Sequence, residues 1–431
     1  MNSSKLPRWC FPFTLLMTFV GVFFATSAEK SEPGWVAPPA LVDKLQARDI
    51  ARGFNTNFRD ENIPAYTLPD LFTLNDGSKV VDAEDWRNKR RPEILELFRK
   101  HAYGRAPVGR PKGMIFKVYD QDPNAMDGTA TRKQIEINFS GTLSSLKMNL
   151  VVFIPNHVEG PAPGFLLISH RGKSNLDPTR QEKSGFWPAE ELVARGYLAA
   201  AFFAGELDED EFDDFDDGVH AQFDKPGPRP PDAWATLAAW AWGASRAMDF
   251  FETDDAIDHR RIGVVGHSRG GKTSLWAGAK DERFALVVSN SSGCGGAALS
   301  RRKIGNPVDI LNMRNPHWYS ENYTQYNSKE ETMPFDQHML LALVAPRLLY
   351  VASASEDLWA DPRGEFLGAL HAEPAYHLLG VKGLETEHMP AVESPVHIGR
   401  IGHHIRRGEH NLTEYDWQRY MDFADMHWIE N

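Results

Sequence analysis

The sequence predicts an α/β protein whose central sheet is mostly parallel and is flanked by helices on both faces. Two observations support this prediction. Short continuous apolar segments alternate with helical ones over most of the chain, as in strands that are buried on both faces. Three segments of alternating polarity precede them and predict N-terminal antiparallel strands. The 431 residues, 42% of them hydrophobic, suffice to bury one large core.

The first 28 residues have the composition of a secretory signal peptide. Lys5 and Arg8 precede an apolar run at 11–24, and small residues at 25–28 follow it. The apolar run is shorter than a membrane span, so an uncleaved N-terminal anchor is only the alternative interpretation. We expect a secreted or periplasmic protein that has no membrane partner once the signal is removed.

The net charge argues against some binding partners, and the cysteine content argues against disulfide bonds. The net charge of −12 at pH 7 disfavours binding to nucleic acid and to anionic lipid. Cys10 lies within the predicted signal, which leaves Cys294 as the one cysteine of the mature chain. No intramolecular disulfide can then form, so stability must come from the buried core. We expect a monomer.

The chain is predicted to have an N-terminal extension at 29–110, packed on an α/β domain at 111–431. Residues 29 to about 65 are rich in proline, alanine and charge, and we expect them to run as an extended surface segment. A helix is predicted at 86–103, because its apolar residues fall on one face.

The α/β domain is predicted to contain nine strands and several helices. The antiparallel strands are predicted at 114–119, 133–139 and 147–154. The remaining strands are predicted at 165–169, 197–203, 262–265, 285–289, 348–352 and 376–379. A helix is predicted at 231–251, where apolar side chains recur at steps of three and four.

The strand at 262–265 leads into a tight turn with a serine at its tip. Gly266 and Gly270 flank Ser268 in the G-x-S-x-G arrangement of a nucleophile elbow. The serine of such an elbow occupies a strained turn, and strand and helix approach so closely that side chains at the flanking positions would clash. An ordinary glycine-rich turn is the alternative. The flanking strand and helix favour Ser268 as the nucleophile of an α/β-hydrolase fold, which makes 111–431 a catalytic domain.

An α/β-hydrolase carries its catalytic acid on a loop after a late strand, and its histidine follows later in the chain. Glu356, Asp357 and Asp361 all follow the strand at 348–352 and compete for the role of the acid. A solvated loop carboxylate is the alternative for each.

Two histidines compete for the role of the base. His388 follows the last predicted strand, where the base commonly lies. His410 precedes the final predicted helix, whose start is indicated by Thr413 and Asp416 as a partial capping pair. Position in the sequence alone does not decide between them.

Two cations follow the serine. Arg269 and Lys272 share one face of the first helical turn, where they oppose the positive end of the helix dipole. The backbone N–H of Arg269 is the expected first donor to the oxyanion, and the turn at 169–172 is a candidate for the second. We expect the Arg269 charge to stabilise the oxyanion and Lys272 to bind polar substrate atoms. Salt bridging to a nearby carboxylate is the alternative.

The acidic run at 206–217 does not have the spacing of an EF-hand, so we expect a solvated loop there. The histidines show no metal-ligand spacing such as H-E-x-x-H, and serine chemistry requires no metal. We therefore expect neither a metal nor a cofactor.

With these residues in view, the chain resembles the bacterial glucuronoyl esterases, carbohydrate esterase family 15. The elbow of that family, G-x-S-R-x-G-K, is matched by Gly266, Ser268, Arg269, Gly271 and Lys272. Further blocks that resemble the family lie at 239–246, 292–297, 336–338, 359–362, 408–410 and 415–417. The resemblance covers nearly the whole mature chain.

The resemblance implies an activity and several residue roles. It implies cleavage of the ester between a glucuronate of xylan, often 4-O-methylated, and an alcohol of lignin, so that glucuronoxylan or a lignin–carbohydrate ester is the partner. It assigns the base to His410. It makes Arg269 an oxyanion contributor, Lys272 and Trp359 sugar contacts, and His338 a structural residue.

Two departures from the family pattern concern the acid and the sugar site. Many members carry the catalytic Glu at the position of Ser291, which cannot serve as an acid. The other placement used in the family corresponds to Asp357, which we therefore predict as the acid. Asn306, which we also expect to bind the substrate, stands where many relatives have a sugar-contacting Glu, so the fine substrate preference stays open.

Two other functions are the alternatives to a glucuronoyl esterase. An acetyl- or feruloyl-type esterase on the same fold would be favoured by a deep apolar acyl pocket, whereas the two cations beside Ser268 favour a polar sugar acyl group. A non-catalytic carbohydrate-binding relative would require a broken triad, against which Ser268, Asp357 and His410 argue.

Overall fold

One sheet of nine strands runs through the computed structural model, which describes residues 1, 34–54, 56–140 and 146–428. The predicted signal peptide therefore lies outside the described residues, Met1 excepted. The strands are β1 (Ile115–Ala125), β2 (Ala130–Asn138), β3 (Lys147–Pro155), β4 (Ala162–Ser169), β5 (Leu198–Phe203), β6 (Ile257–His267), β7 (Leu286–Asn290), β8 (Leu348–Ala354) and β9 (Ile401–Arg406).

The order of strands across the sheet is β1-β2-β3-β5-β4-β6-β7-β8-β9. The first three strands and the β3–β5 pair are antiparallel, and all later pairs are parallel. The predicted fold class, a mostly parallel sheet with N-terminal antiparallel strands, is thus confirmed.

Helices cover both faces of this sheet. They are α1 (Pro39–Ala51), α2 (Ala83–Asp85), α3 (Arg91–His101), α4 (Ala189–Ala194), α5 (Gly218–Phe223), α6 (Thr236–Phe251), α7 (Arg269–Lys280), α8 (Val308–Arg314), α9 (Gln337–Ala342), α10 (Pro362–Leu378) and α11 (Glu414–Trp428). In β4, Leu166 and Ile168 pack in the core that contains α6 and α7, whereas Phe165 and Leu167 pack in the core that contains α4 and α11. Because successive residues of a strand point to opposite faces, the apolar run of β4 supplies both cores of a three-layer sandwich.

The last strand was predicted wrongly. Residues 376–378 end α10 and Leu379 caps it, so no strand forms there. A short apolar run does not distinguish a strand from a buried helical turn. The ninth strand is β9, which contains His403, His404 and Arg406, all of them buried. Because these side chains are polar, the sequence does not show the apolar run that usually indicates a buried strand, although every residue of β9 is buried.

The expected extended segment at 29–65 is also wrong in part. Residues Pro39–Ala51 form α1, with a proline in its first turn as is common at helix starts. Val42 and Leu45 of α1 pack with Phe58 and with Leu358, which follows β8. The helix predicted at 86–103 is present as a π-helical turn followed by α3.

The strands place the predicted site residues at one edge of the sheet. Ser268 directly follows β6, and Ser291 directly follows β7. Asp357 lies in the loop after β8, and His410 lies in the loop after β9. The carboxyl ends of parallel strands share one edge, where open α/β sheets bind their ligands.

Arg302 joins the N-terminal segment to the rest of the fold. Its side chain is 1% exposed and bonds to Asp361 at 2.9 Å and to Asp60 at 3.1 Å.

The boundary that the sequence predicts at residue 110, between the N-terminal extension and the catalytic domain, stays a prediction. Among the described residues, none of the helices has the length and apolar character that crossing a membrane requires.

Replacing Arg302 by alanine is expected to destabilise the fold, because the nearly buried Asp361 carboxylate would lose its counter-charge. The expected loss is about 3 kcal/mol or more of the free energy of unfolding, measured by denaturant titration. Asp60→Asn is the control, since Asp60 is 55% exposed and a surface pair contributes under about 1 kcal/mol. Equal losses in the two variants would contradict the prediction.

Candidate active site

The turn at Ser268 has the close packing that a nucleophile elbow requires. Ser268 adopts φ 57° and ψ −123°, a backbone conformation that residues other than glycine rarely adopt. A Cβ atom at Gly266 would lie 1.9 Å from the carbonyl oxygen of Gly270, so only glycine fits. The Ser268 N–H donates to the carbonyl of Asn290 at the end of β7, at 2.8 Å. The strained turn is thereby tied to the neighbouring strand.

A histidine and a carboxylate meet beside this turn. The Nδ1 atom of His410 lies 2.5 Å from Oδ2 of Asp357. Asp357 is nearly buried, whereas the His410 side chain is 44% exposed. The His410 ring contacts the ring of His267 at a centroid distance of 4.4 Å, and His267 immediately precedes Ser268. The imidazole is therefore next to the elbow, with one nitrogen occupied by the carboxylate.

The competing acids have other surroundings. Asp361 bonds to Arg302 and accepts from the N–H of Gly364, which caps α10. Glu356 is exposed, and Ser291 is buried with a positive φ of 44°. Among the described residues, Asp357 is the carboxylate that pairs with His410.

His388 was a candidate for the base because it follows the strand predicted at 376–379, but that segment is the end of α10. It follows no strand and lies exposed in the loop between α10 and β9.

Arg406, the last residue of β9, holds the loop that carries His410. Its guanidinium donates to the carbonyls on either side of His410, those of Glu409 at 2.9 Å and Asn411 at 2.6 Å. Its Nε donates to Asp416 at 2.9 Å. Bidentate and forked donation of this kind is specific to arginine. The position of the His410 backbone therefore depends on Arg406.

Asp416 continues this network toward the elbow. It accepts from Thr413, as the predicted capping pair requires, and from His404 and the side-chain amide of Asn290. Burial alone would raise the pKa of Asp416, but these hydrogen bonds and the neighbouring charges hold it below its ordinary value. Asn290 in turn lies 2.7 Å from Nδ1 of His267. A continuous polar path thus runs from the helix α11 to the residue before Ser268.

Arg269 pairs with an acid that was predicted to be solvated. Its guanidinium bonds to Asp210 and lies 4.7 Å from the ring centroid of Trp318. Asp210 also accepts from His317 at 3.0 Å and from Trp318 at 2.8 Å. Burial would raise the pKa of Asp210, but the hydrogen bond from His317 and the Arg269 charge lower it. The solvated-loop prediction for 206–217 is therefore wrong at Asp210.

Lys272 is buried, and its ammonium group binds backbone carbonyl groups of the protein itself. Its ammonium donates to the carbonyls of Ser292 and Cys294, the latter at 2.5 Å. Burial lowers the pKa of Lys272 to about 8 and raises that of the Cys294 thiol to about 12. Lys272 also lies 5.9 Å from the centroid of the Trp318 ring. Two of its three N–H groups are occupied before any substrate binds.

The two other predicted sugar contacts lie close to each other. Trp359 is half-buried and packs edge-to-face on Phe58 at 5.4 Å. Gly305, which precedes Asn306, approaches Trp359 so closely that a Cβ atom there would lie 2.4 Å from the Trp359 carbonyl. The Oδ1 atom of Asn306 is buried and has no hydrogen-bond partner among the described residues.

Glu365 is a buried acid that sequence reasoning missed. It accepts from the N–H groups of Ser292 and Gly293 at 2.6 and 3.0 Å and from the Ser353 hydroxyl at 2.7 Å. Burial raises its pKa to about 8; the nearby Asp357 adds to the rise, and the hydrogen bonds oppose it. In the sequence it looks like an ordinary glutamate of a first helical turn. No residue pattern around Glu365 in the sequence indicates that its side chain is buried.

One group of side chains in the described part of the chain brings three possible metal ligands within 4.8 Å of one another: Glu373, His377 and Glu385. His377 is exposed and bonds to Glu385 at 2.9 Å. None of the predicted site residues belongs to this group. The expectation that the reaction uses no metal or cofactor stays a prediction.

Comparison with known proteins identifies the family. The chain is 41% identical over 405 residues to the carbohydrate esterase MZ0003 of an unknown prokaryotic organism, covering 87% of this chain and 92% of that relative. It is 42% identical to the solved glucuronoyl esterase from Solibacter usitatus, with a TM-score of 0.81, covering 85% of this chain and 100% of that one. The chain belongs to the glucuronoyl esterases, carbohydrate esterase family 15.

More distant relatives agree with that assignment. A family model described as "Glucuronyl esterase, fungi" matches residues 231–380 of this glucuronoyl esterase. The 4-O-methyl-glucuronoyl methylesterase of Schizophyllum commune is 30% identical over 329 residues, covering 73% of this chain and 74% of that relative. The predicted family resemblance is confirmed, and the protein is a carboxylic ester hydrolase.

Replacing Arg406 by lysine should slow this glucuronoyl esterase without abolishing binding. The Arg406 guanidinium donates to four acceptors, Asp416 and the carbonyls of Arg407, Glu409 and Asn411. A lysine ammonium has three N–H groups on a single atom and cannot bind all four, so the imidazole would shift. We expect kcat on a glucuronate ester to fall about tenfold or more with KM nearly unchanged, since small misplacements of catalytic groups have effects of that size. Arg407→Lys is the matched control, because Arg407 is 75% exposed. A lower melting temperature with unchanged kcat would contradict the prediction.

Proposed function

We propose that this glucuronoyl esterase hydrolyses esters that link the glucuronate, or 4-O-methyl-glucuronate, of xylan to alcohols of lignin, with Ser268, His410 and Asp357 as its triad. The proposal is carried by one observation, the 2.5 Å contact between His410 and Asp357 beside the strained serine turn. Family membership supplies the substrate class.

The chemistry follows from the surroundings of each group. A serine hydroxyl becomes a strong nucleophile when an imidazole accepts its proton, and a carboxylate on Nδ1 fixes the tautomer that leaves Nε2 free to do so. In this proposal Ser268 attacks the ester carbonyl, His410 takes the proton and returns it to the leaving alcohol, and water then releases glucuronate from Ser268.

The oxyanion is proposed to bind at the start of α7. Arg269 is the first residue of this helix, so its backbone N–H has no partner within the helix and is free to donate. Asp210 and Trp318 hold the Arg269 guanidinium, whose Nε has no hydrogen-bond partner among the described residues. Arg269 would thus offer both a backbone donor and a fixed charge.

Three of the predicted substrate-binding residues have groups that suit a sugar. The partnerless Oδ1 of Asn306 is an acceptor for a sugar hydroxyl, and the half-buried Trp359 ring offers an apolar face. Lys272 retains one N–H beyond those that the two backbone carbonyls accept. Together these groups favour a hydroxyl-rich acyl group over an acetyl or feruloyl group.

The first test is hydrolysis of benzyl glucuronate by the mature protein, beside 4-nitrophenyl acetate. We expect release of glucuronate that depends on Ser268 and falls at least about a thousandfold in Ser268→Ala, with little cleavage of the acetate. Cleavage of the acetate without release of glucuronate would favour an acetyl-type esterase instead. Absence of both, with no labelling by a fluorophosphonate probe, would indicate a binding protein.

A second test concerns the acid. Asp357→Ala is expected to lower kcat by about three to four orders of magnitude, because His410 would lose both its tautomer and its counter-charge. Ser291→Ala is the control at the position that carries the acid in many relatives, and it should keep most of the activity. The reverse result would refute Asp357 as the acid.

We also propose that the protein is exported. The basic start, the apolar run at 11–24 and the small residues at 25–28 support cleavage after Ala28. Expression with fractionation of the cell should yield a protein that begins at Glu29 outside the cytoplasm. An intact N-terminus in the membrane fraction would instead support the uncleaved anchor.

A further inference from the structure

A pocket opens beside the loop that carries His410. Its volume is about 400 Å³, within the range of sites for small molecules. Part of its wall is the segment 411–415, which directly follows His410, and another part contains Arg171 and Phe186. None of the residues expected to contact the glucuronate lines it.

Arg171 is the unusual residue of this pocket. Its guanidinium carbon lies over the Phe186 ring, 4.1 Å from the ring centroid, which is a cation–π contact. It is half-buried, and burial lowers its pKa. Within the described residues Arg171 forms no ion pair. A partly desolvated cation without a counter-ion is costly, which makes a role in binding the better explanation.

Aromatic contacts connect this wall to the candidate base. Phe186 packs edge-to-face on His267 at 5.8 Å, and His267 contacts His410 at 4.4 Å. The indole N–H of Trp417 fixes the Phe186 backbone by donating to its carbonyl at 3.0 Å. The platform formed by Arg171 and Phe186 is therefore held at a fixed place relative to His410.

The chemistry of ester cleavage determines which part of a substrate comes here. The general acid must reach the oxygen of the leaving alcohol, so that alcohol lies on the His410 side of the bond. The sugar acyl group is expected on the other side, toward Arg269 and Trp359. A pocket built from the residues after His410 is where the body of the alcohol would extend.

The composition of the pocket favours a neutral aromatic ring over an anion. Glu414 lines the same pocket, and the whole chain carries a net charge of −12. Both disfavour a second uronate or another anion. The planar guanidinium of Arg171, which contacts Phe186 on one side, can receive a second ring on the other. The buried Oδ1 of Asn411, which has no partner among the described residues, is an acceptor for a ring hydroxyl.

We propose that this pocket is a subsite for the aromatic ring of the leaving alcohol, which stacks on the outer face of Arg171. The inference rests on the proposed function, since it concerns the alcohol of the same ester. It assigns preference for the alcohol to residues that lie apart from the sugar-contacting ones.

The kinetic test compares benzyl glucuronate with methyl glucuronate, which has no ring to stack. Arg171→Ala is expected to lower the benzyl-to-methyl ratio of kcat/KM about five- to tenfold. Arg171→Lys keeps the charge but has no planar face, so it should lower the ratio about as much. Arg260→Ala is the matched control, because Arg260 is exposed near the opposite end of β6. It should leave the ratio unchanged.

Three kinetic results would overturn the proposal. The first is an equal loss on both esters in Arg171→Ala, and the second is an unchanged ratio. The third is a ratio restored by Arg171→Lys, which would indicate a charge effect without stacking.

A binding measurement separates this proposal from the proposed function. Benzyl alcohol is added to the inactive Ser268→Ala protein and to the Ser268→Ala, Arg171→Ala double variant, and binding is followed by saturation-transfer NMR. A signal that falls by about half or more in the double variant supports the subsite even where neither ester is cleaved by the unmodified protein. Equal signals overturn it. Absence of Ser268-dependent glucuronate release refutes the proposed function alone.

Discussion

A single buried carboxylate, Asp416, connects the segments that form the site. It binds His404 and Arg406 of β9 and Asn290 at the end of β7. Through Asn290 it reaches His267, and through Arg406 it reaches the loop of His410. A buried charge is tolerated only when its hydrogen bonds are satisfied, so these partners must assemble together. The serine turn and the histidine loop are therefore fixed by the same group.

The cations around the serine are compensated in two different ways. Arg269 has a carboxylate partner, Asp210, which is itself held by His317 and Trp318. Lys272 has backbone carbonyls instead, and its lowered pKa reflects its burial. The first arrangement fixes a charge beside the nucleophile, whereas the second ties α7 to the loop after β7. Neighbouring cations in the sequence thus serve separate purposes in the fold.

Local patterns allowed the fold and the serine turn to be predicted, whereas long-range pairs did not follow from them. Ser268 is marked by its neighbours within a few positions. The partner of Arg269 lies 59 positions away in a run that looked solvated, so Asp210 was missed. β9 was missed because its buried His404 and Arg406 are paired with Asp416, a residue of the next helix. Polar strands of this kind are recognisable only when their partners are known.

The burial of Cys294 should make the protein insensitive to the redox conditions around it. With its thiol buried and its pKa raised to about 12, almost no thiolate exists at neutral pH. Thiolate is the species that oxidants and foreign disulfides attack. The chain after the predicted signal has no second cysteine to join with. If the predicted signal is removed, no disulfide can form within the chain, and its activity should then be the same in oxidising and reducing surroundings.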